Sequence, residues 1–330
     1  MKSGFPGGTY RKIFYVADVE ASGPPINGEL HVALDEADFI AIFPLSGQGR
    51  ARLVGIVRDD RAAQADTLRF EDISDRAITH LKVRVEKVNW FSTYHVHHRV
   101  TDRFRKGRAF LLGDAAHVHS PVGGQGMNTG IGDAINLAWK LAAVLAERAP
   151  DALLDSYQAE RIAFARRLVK TTDRVFTLVT AEGRMADILR TRVFPFLAPM
   201  VTRLAFVRRF LFRTVSQIML NYRGGPLSRG IAGKVHGGDR LPWVKVGDGD
   251  NFDGAMHWQV HVYGRAGAAL TAWCRKQNIP LRKFVLRRAY RKAGLAANTA
   301  YLLRPDTYVA VAGGGADAFA RYFAETRIRP

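Results

Sequence analysis

The sequence predicts a mixed α/β chain of the α+β kind, built in three parts. Three observations carry this. Residues 10–100 hold a succession of short runs rich in β-branched and aromatic residues, separated by turn formers, as an antiparallel sheet requires. Residues 109–147 read, in order, as an apolar run, a glycine-rich loop and a long apolar helix. Beyond a Gly-, Pro- and Arg-rich stretch at 221–242, the remaining chain alternates strand-like and helix-like segments. The expected boundaries are 1–104, 105–232 and 233–330.

In the first part KIFYVADVEA, ELHVAL, DFIAIFPL and RARLVGIV are the expected strands, with NGE, DEAD and SGQG supplying turns. EDISDRAITHLK (71–82) reads as a short helix, and VEKVNWFSTYHVHHRV (85–100) returns to strand alternation. In the second part AFLL (109–112) is short and wholly apolar, which predicts a buried, parallel strand. A helix is expected from about Gln125 to Glu147. Ile131, Ile135, Ala138, Ala142 and Leu145 share one of its faces, and Leu137, Leu141 and Val144 widen it. Pro150 and Asp151 stop this helix and start the next. Residues 152–180 read as a long charged helix, and 184–221 as further helices interrupted by Pro195 and Pro199. TRLAFVRRFLFRT (202–214) sets arginines among phenylalanines. Packing on the core with the arginines outside is the expected arrangement, and a helix lying on a membrane the other reading. In the third part HWQVHVYG, LRKFVLR and TYVAVA read as strands, AALTAWCRKQ and ADAFARYFAE as helices.

Charge sets the chain apart: 49 basic against 30 acidic residues among 330 gives +19. This favours anionic ligands or surfaces in general. The basic residues are dispersed in pairs, however, so no nucleic-acid partner is expected. The lone Cys274 excludes an intrachain disulfide and a Cys-based metal cluster, and its thiol is expected to be structural. MKSGFPGGTYRK carries no apolar signal region and no run is long enough to cross a bilayer, so the expectation is a cytoplasmic protein without a transmembrane segment. His95 and His97 share a strand face beside His98, but no neighbouring Cys or carboxylate completes a metal site. His117 and His119 flank the glycine loop and are expected to pack or bond the backbone.

The loop LLGDAAHVHSPVGGQGMNTG (111–130) carries the chemistry. Gly123, Gly124 and Gly126 allow close backbone approach to a flat or charged ligand, and the helix behind them points its partial positive end at the loop. Asp114 would repel a phosphate there but can accept hydrogen bonds from a ribose or ribityl chain. A ligand with polyol and electron-accepting parts fits, and a flavin has both.

The stretch GRAFLLGDAAHVHSPVGGQGMNTGIGDAINLAWKLA resembles the second flavin-binding motif of the aromatic-ring hydroxylases, the para-hydroxybenzoate hydroxylase-like FAD monooxygenases. FPGGTYRKIFYVADVEA and DFIAIFPL are similar to that family's substrate-domain sheet, SYQAERIAFARRLVKTTDRVF to its following helix, and GGDRLPWV and YLLRPDTYVAVA to the thioredoxin-like C-terminal domain of many members. The resemblance implies a partial FAD-binding fold, with FAD as cofactor and NAD(P)H and a small aromatic or polycyclic molecule as partners. It implies that Gly113 and Asp114 meet the ribityl and pyrophosphate region. Pro121 would lie beside the flavin ring, and Gly124, Gly126, Met127 and Asn128 would offer backbone groups to the pyrimidine edge, with Gly123 in the same loop.

Two departures qualify this. The family opens with a strand, GxGxxG and a helix that hold the ADP half of FAD, and a further Asp-Gly motif follows; neither is present in these residues. Without that N-terminal segment of the complete fold, the helix from about Gln125 to Glu147 is expected to lose part of its cover. The other expected readings are therefore a degenerate, non-catalytic binding protein, or half of a split flavoprotein whose N-terminal nucleotide-binding piece is a separate chain. Second, RPDTYVA has Thr307 where the family usually has glycine, and no CxxC gives the third part a redox role. A residue that deprotonates a phenol is suggested only by type, at Tyr10, Tyr15 or Tyr94.

Overall fold

The computed structural model describes residues 3–34, 39–57, 67–73, 78–79, 81–120, 125–179, 193–252 and 254–330. Its first part is a sheet of β1 (Gly7–Ser22), β2 (His31–Leu34), β3 (Phe39–Pro44), β4 (Arg50–Val57) and β5 (Arg84–Val100). The strand order is β2-β3-β4-β1-β5, and every neighbouring pair is antiparallel. Alternation divides the side chains between two faces. Ile13, Tyr15, Ala17 and Val19 of β1 pack with Ile40, Ile42, Leu53 and Val57 on one face. Phe14 and Val96 pack with Val54 and Ile56 on the other. The four strands expected between residues 12 and 57, and the long one after residue 84, are all present. Of the helix expected at 71–82, the described residues show a 3-10 turn at Phe70–Asp72 and helical backbone at Ile78 and Thr79; positions 74–77 and 80 lie outside the described residues.

Past β5 the chain makes a small hairpin, β6 (Arg105–Lys106) with β7 (Ala109–Phe110). It then turns through a 3-10 segment at Gly113–Ala115 and adds β8 (His117–Val118) to the large sheet beside β5. The buried parallel strand expected at 109–112 is not formed. Ala109 and Phe110 pair antiparallel with Arg105 and Lys106, Leu112 is 37% exposed, and Leu111 packs on the cluster of Phe104 and Tyr157, its N–H donating to the Phe104 carbonyl and its own carbonyl accepting from Tyr157. Uniform apolarity signals burial on two faces, but it says nothing about which strand lies alongside.

Helix α1 (Gly126–Leu145) has nearly the expected bounds, but its apolar face is covered only along one edge, where Leu137 is buried and Leu141 and Val144 pack against the same core. Ile131, Ile135 and Leu145 are 50%, 41% and 80% exposed, and Ala138 and Ala142 are exposed with them. The buried face holds Thr129, Asp133, Asn136, Leu137, Trp139 and Lys140. The cause is electrostatic: the polar side chains of this face find charged partners of opposite sign on two other elements, described below.

A 3-10 turn at Asp151–Leu154 leads into α2 (Asp155–Val179). Beyond residues 180–192, which lie outside the described residues, come α3 (Phe194–Thr202) and α4 (Ala205–Val215). The prolines do not interrupt them. Pro195 falls in the first turn of α3, where its missing N–H has no helical acceptor. Pro199 lies within α3, and the break comes instead at Arg203 and Leu204. The expected packing of α4 on the core is also not seen: Phe206, Phe210 and Phe212 are 70%, 57% and 63% exposed, and no residue of the helix is buried.

The third part opens with two short hairpins, β9 (Ile231–Ala232) with β10 (Val235–His236) and β11 (Lys245–Val246) with β12 (Gly249–Asp250). A mixed sheet follows, built of β13 (Gln259–Tyr263), β14 (Leu281–Phe284), β15 (Ala300–Leu303) and β16 (Val309–Ala312) in the order β14-β13-β15-β16; β13 and β14 are parallel and the other pairs antiparallel. Helices α5 (Ala268–Lys276), α6 (Arg288–Lys292) and α7 (Ala316–Thr326) accompany it. Trp139 of α1 enters the core formed by Trp258, Val260, Leu302, Phe319 and Tyr322, so the helix and this sheet share one apolar cluster. β15 and α6 were not among the segments expected from the sequence.

Candidate functional site

The Leu111–Gly130 segment folds as a turn pressed against the start of a helix. Gly113 adopts φ +56°, a left-handed conformation that suits glycine. Gly130 of α1 lies directly against it: a Cβ on Gly130 would sit 3.3 Å from the Gly113 Cα. Asp114 follows on the turn and is exposed, and its carboxylate makes no hydrogen bond among the described residues. The N-terminal turn of α1 has no side-chain cap, so its first N–H groups remain available to an outside acceptor. A Cβ on Gly126 would meet nothing within 4 Å, Met127 is 74% exposed and Asn128 is exposed. Of the residues expected to face a flavin, Gly113, Asp114, Gly126, Met127 and Asn128 are thus brought to one turn and one helix start. Pro121, Gly123 and Gly124 lie outside the described residues.

Beneath this surface lies a layer of buried charge. Asp133 accepts from the Gly113 N–H at 3.0 Å, His117 Nε2 at 2.8 Å and Arg161 Nε at 2.5 Å. Burial pushes the Asp133 carboxyl up, but the bond from His117 and the charge of Arg161 outweigh it and hold it below its ordinary range. Arg161 also donates to the Thr129 carbonyl and the Tyr222 hydroxyl. One turn further along α1, Lys140 Nζ and Asn136 Nδ2 each donate to Glu160 at 2.8 Å. Glu160 further accepts from Arg304 at 2.6 and 3.0 Å, and Arg304 also donates to Asp306. Trp139 Nε1 donates to Asp306 at 3.0 Å. Burial raises the Glu160 carboxyl, yet Arg304 and Lys140 hold it down to about 2. Burial pushes Lys140 down to about 8, against the pull of Glu160. Among the described residues the layer sets Lys140, Arg161 and Arg304 against Asp133, Glu160 and Asp306, each side chain buried. Balanced and fully bonded charge is the condition under which such groups are tolerated away from water.

The other side chains singled out in the sequence take lesser places. His117 bonds a carboxylate rather than the backbone, whereas His119 Nδ1 meets the Ser120 carbonyl at 2.8 Å. Burial lowers His119, with the nearby His117 adding to this. Tyr10 donates to Asp173 at 2.6 Å; burial and that bond raise its phenol well above the ordinary value, and burial raises Tyr94 too. A tyrosinate base needs the opposite shift. His97 bonds Thr9, and His98 packs against Tyr10 in a tilted ring contact. Cys274 is buried in the core of the third part, its thiol pushed up to about 11 by desolvation. Sequence reasoning missed His117, Gly130, Gly132, Asp133 and Arg161 as parts of the site. The signal available was the pair of helical glycines around Ile131, since a Cβ on Gly132 would come 3.2 Å from Arg161 Nη2.

Known proteins resemble this chain in sequence and in fold. The profile of the FAD binding domain family matches residues 4–172. A 6-methylpretetramide 4-monooxygenase of Streptomyces rimosus is 34% identical over 226 residues, which are 67% of this chain and 41% of that protein. A rifampicin monooxygenase of Streptomyces venezuelae is 36% identical over 169 residues, 51% of this chain and 34% of that one. The solved structure of OxyS anhydrotetracycline hydroxylase from Streptomyces rimosus superposes with TM-score 0.71 at 26% identity, covering 99% of this chain and 66% of its own. This chain therefore spans well under half the length of these two curated relatives and 66% of that solved structure. Among the described residues no helix is long and apolar enough to cross a membrane. The match over half the sequence, on a fold shared with aromatic hydroxylases, establishes that the chain belongs to the FAD binding domain family of the flavin-dependent aromatic-ring monooxygenases.

Proposed function

We infer that the chain forms the flavin-facing and substrate-facing portion of a monooxygenase that hydroxylates an aromatic or polycyclic molecule using NAD(P)H and oxygen. The observation that carries this is the uncapped start of α1 set against the Gly113 turn with an exposed carboxylate on it. The N–H groups of Gly126, Met127 and Asn128 suit the pyrimidine edge of a flavin, where negative charge develops on reduction. Asp114 suits the ribityl hydroxyls. Pro121, Gly123 and Gly124 complete the proposed set on sequence grounds. A bound flavin would supply hydride acceptance from NAD(P)H and activation of oxygen. The chain's own residues would orient the cofactor and exclude water. The raised phenols of Tyr10 and Tyr94 do not suit a base. The substrates in the names of the relatives, 6-methylpretetramide, rifampicin and anhydrotetracycline, suggest an aromatic or polycyclic substrate class.

The ADP half of FAD calls for a GxGxxG segment, which these 330 residues do not contain. The exposed stripe Ile131, Ile135, Ala138, Ala142 and Leu145, with Leu112 close in sequence to the Gly113 turn, is suited to cover by such a segment, whether on the same polypeptide or on a separate N-terminal nucleotide-binding chain. The proposed units remain 1–104 for the substrate sheet, 105–232 for the second half of the FAD-binding part and 233–330 for a thioredoxin-like unit.

The test is an absorbance titration of the purified chain with FAD, alone and with the N-terminal nucleotide-binding segment of a related hydroxylase. Visible bands of bound flavin, and NAD(P)H oxidation stimulated by a polycyclic phenol once the segment is added, are the expected results. A colourless protein in both conditions would overturn the reading in favour of a non-catalytic binding protein.

A further inference from the structure

We propose that Asp133 is the positioning residue of the cofactor loop. Its buried carboxylate fixes the Gly113 turn, and through that turn the Asp114 carboxylate, against the start of α1. The proposal rests on the reading of that loop as flavin-facing.

Asp133 is 1% exposed and lies one turn into α1 beyond the exposed Asn128. An ionised carboxylate only accepts, so all three of its partners must donate. Oδ2 takes the Gly113 N–H and His117 Nε2, and Oδ1 takes Arg161 Nε. This places a proton on His117 Nε2, while its Nδ1 is buried without a partner among the described residues. The three donors come from three segments: the turn before Asp114, the strand β8 and the helix α2. Arg161 returns to α1 by donating to the Thr129 carbonyl at 3.0 Å, so one guanidinium grips two successive positions of the helix face. The glycines make this approach possible. Gly130 touches Gly113, and Gly132 leaves room for the Arg161 fork. Asp114, by contrast, makes no bond of its own among the described residues, so its position is set by the backbone that carries it. The amide immediately before it is the one Asp133 holds. A loop that must present a carboxylate to a ligand hydroxyl within hydrogen-bond reach needs such an anchor, because small displacements remove the bond.

The experiment is flavin titration of the full chain and its variants with FAD and with FMN, read by flavin fluorescence and by the shape of the visible bands. Amide hydrogen exchange at Gly113 and Asp114 is measured alongside. Asp133→Asn should raise the Kd for both flavins at least tenfold, blur the resolved band structure of the bound ring, and speed exchange at Gly113 while β13 and β15 keep their protection. Asn also leaves Arg161 charged and buried, so the single variant can fail to fold. The charge-compensated pair Asp133→Leu with Arg161→Met removes both ions together and should fold, with the same loss of flavin affinity and of Gly113 protection. A folded variant that binds flavin with wild-type affinity and band shape, or that leaves Gly113 exchange unchanged, overturns the proposal. If the unmodified chain binds neither flavin even with the N-terminal nucleotide-binding segment added, the flavin reading itself fails, and the exchange of Gly113 still decides whether Asp133 holds the turn.

Discussion

Thr307→Gly should stabilise the protein. Thr307 ends the turn between β15 and β16, where its N–H donates to the Arg304 carbonyl at 2.9 Å, and it adopts φ +66°. A left-handed conformation costs a non-glycine residue about 1–3 kcal/mol, and a β-branched one belongs toward the upper part of that range. Glycine removes the strain. Against this, glycine gives the unfolded chain more freedom, at a cost of about 0.4–1 kcal/mol. It also loses a half-buried methyl worth under about 0.8 kcal/mol. The net gain is about 1 kcal/mol. With a urea slope of about 2 kcal/mol per molar, the midpoint should rise by about 0.5 M. The assay is urea unfolding followed by tryptophan fluorescence, since Trp139 and Trp258 sit in the core that this hairpin helps to form. Thr307→Ala is the control: it keeps a Cβ and therefore most of the strain, and should not gain comparably. A lower midpoint for the glycine variant, or an equal rise for the alanine one, would refute strain as the reason.

Asp114→Ala should weaken flavin binding by about 1.5–3 kcal/mol, the range for hydrogen bonds to a charged group, and leave the melting temperature unchanged because the side chain is exposed; unchanged affinity in a fluorescence titration would remove Asp114 from the site. Glu160→Gln strands Arg304 and Lys140 without their shared counter-charge and should cost about 3–5 kcal/mol in denaturant unfolding, whereas Arg52→Ala breaks only an exposed pair with Asp18 and should cost under about 1 kcal/mol. The acid limb of stability follows from the same carboxylate. Its folded value, about 2, lies below the ordinary 4.5, so its contribution is fully present above about pH 4.5 and is lost as the pH falls toward 2. Urea midpoints should therefore drop through that window, Asp133 adding in the same direction, and a flat profile between pH 5 and 2.5 would count against an ionised Glu160.

Most of the secondary structure was legible. Alternation of apolar and polar residues located β1 to β5, and helical spacing with Pro150 located α1 and α2 to within a few residues. Facing was not legible. The apolar stripe of α1 is a true stripe, but a stripe shows only that one side of a helix avoids water, and the opposite side of α1 is the one this chain covers. That side reads as polar because its partners are distant in sequence: Asp133 meets Arg161, and Glu160 meets Arg304, 144 positions on. No local pattern carries such pairings. The same limit explains residues 109–112, whose apolarity predicts cover without naming the neighbour, and α4, whose phenylalanines gave a core-facing expectation that the structure does not fulfil. Thr307 was the exception. Its departure from the usual glycine was visible in RPDTYVA, and the positive φ gives that departure a physical meaning.

The motif that carried the resemblance also divides into two roles once it is folded. Asp114, Gly126, Met127 and Asn128 lie at the surface, where a ligand can reach them. Thr129, Asp133, Asn136, Trp139 and Lys140 point the other way and hold the helix to α2 and to the Arg304–Asp306 turn. Reading the whole stretch as ligand contact therefore assigns too much to the cofactor. The arrangement has a mechanical consequence. Each polar residue on the inner face shares a helix backbone with the exposed N–H groups at the start of α1, so the charge layer sets the direction in which those N–H groups point. The β15–β16 turn meets the layer through Arg304, which donates to Glu160, and through Asp306, which accepts from Trp139. The third part of the chain, which offers no redox cysteine pair, thus contributes two of the charged side chains that hold the inner face of α1.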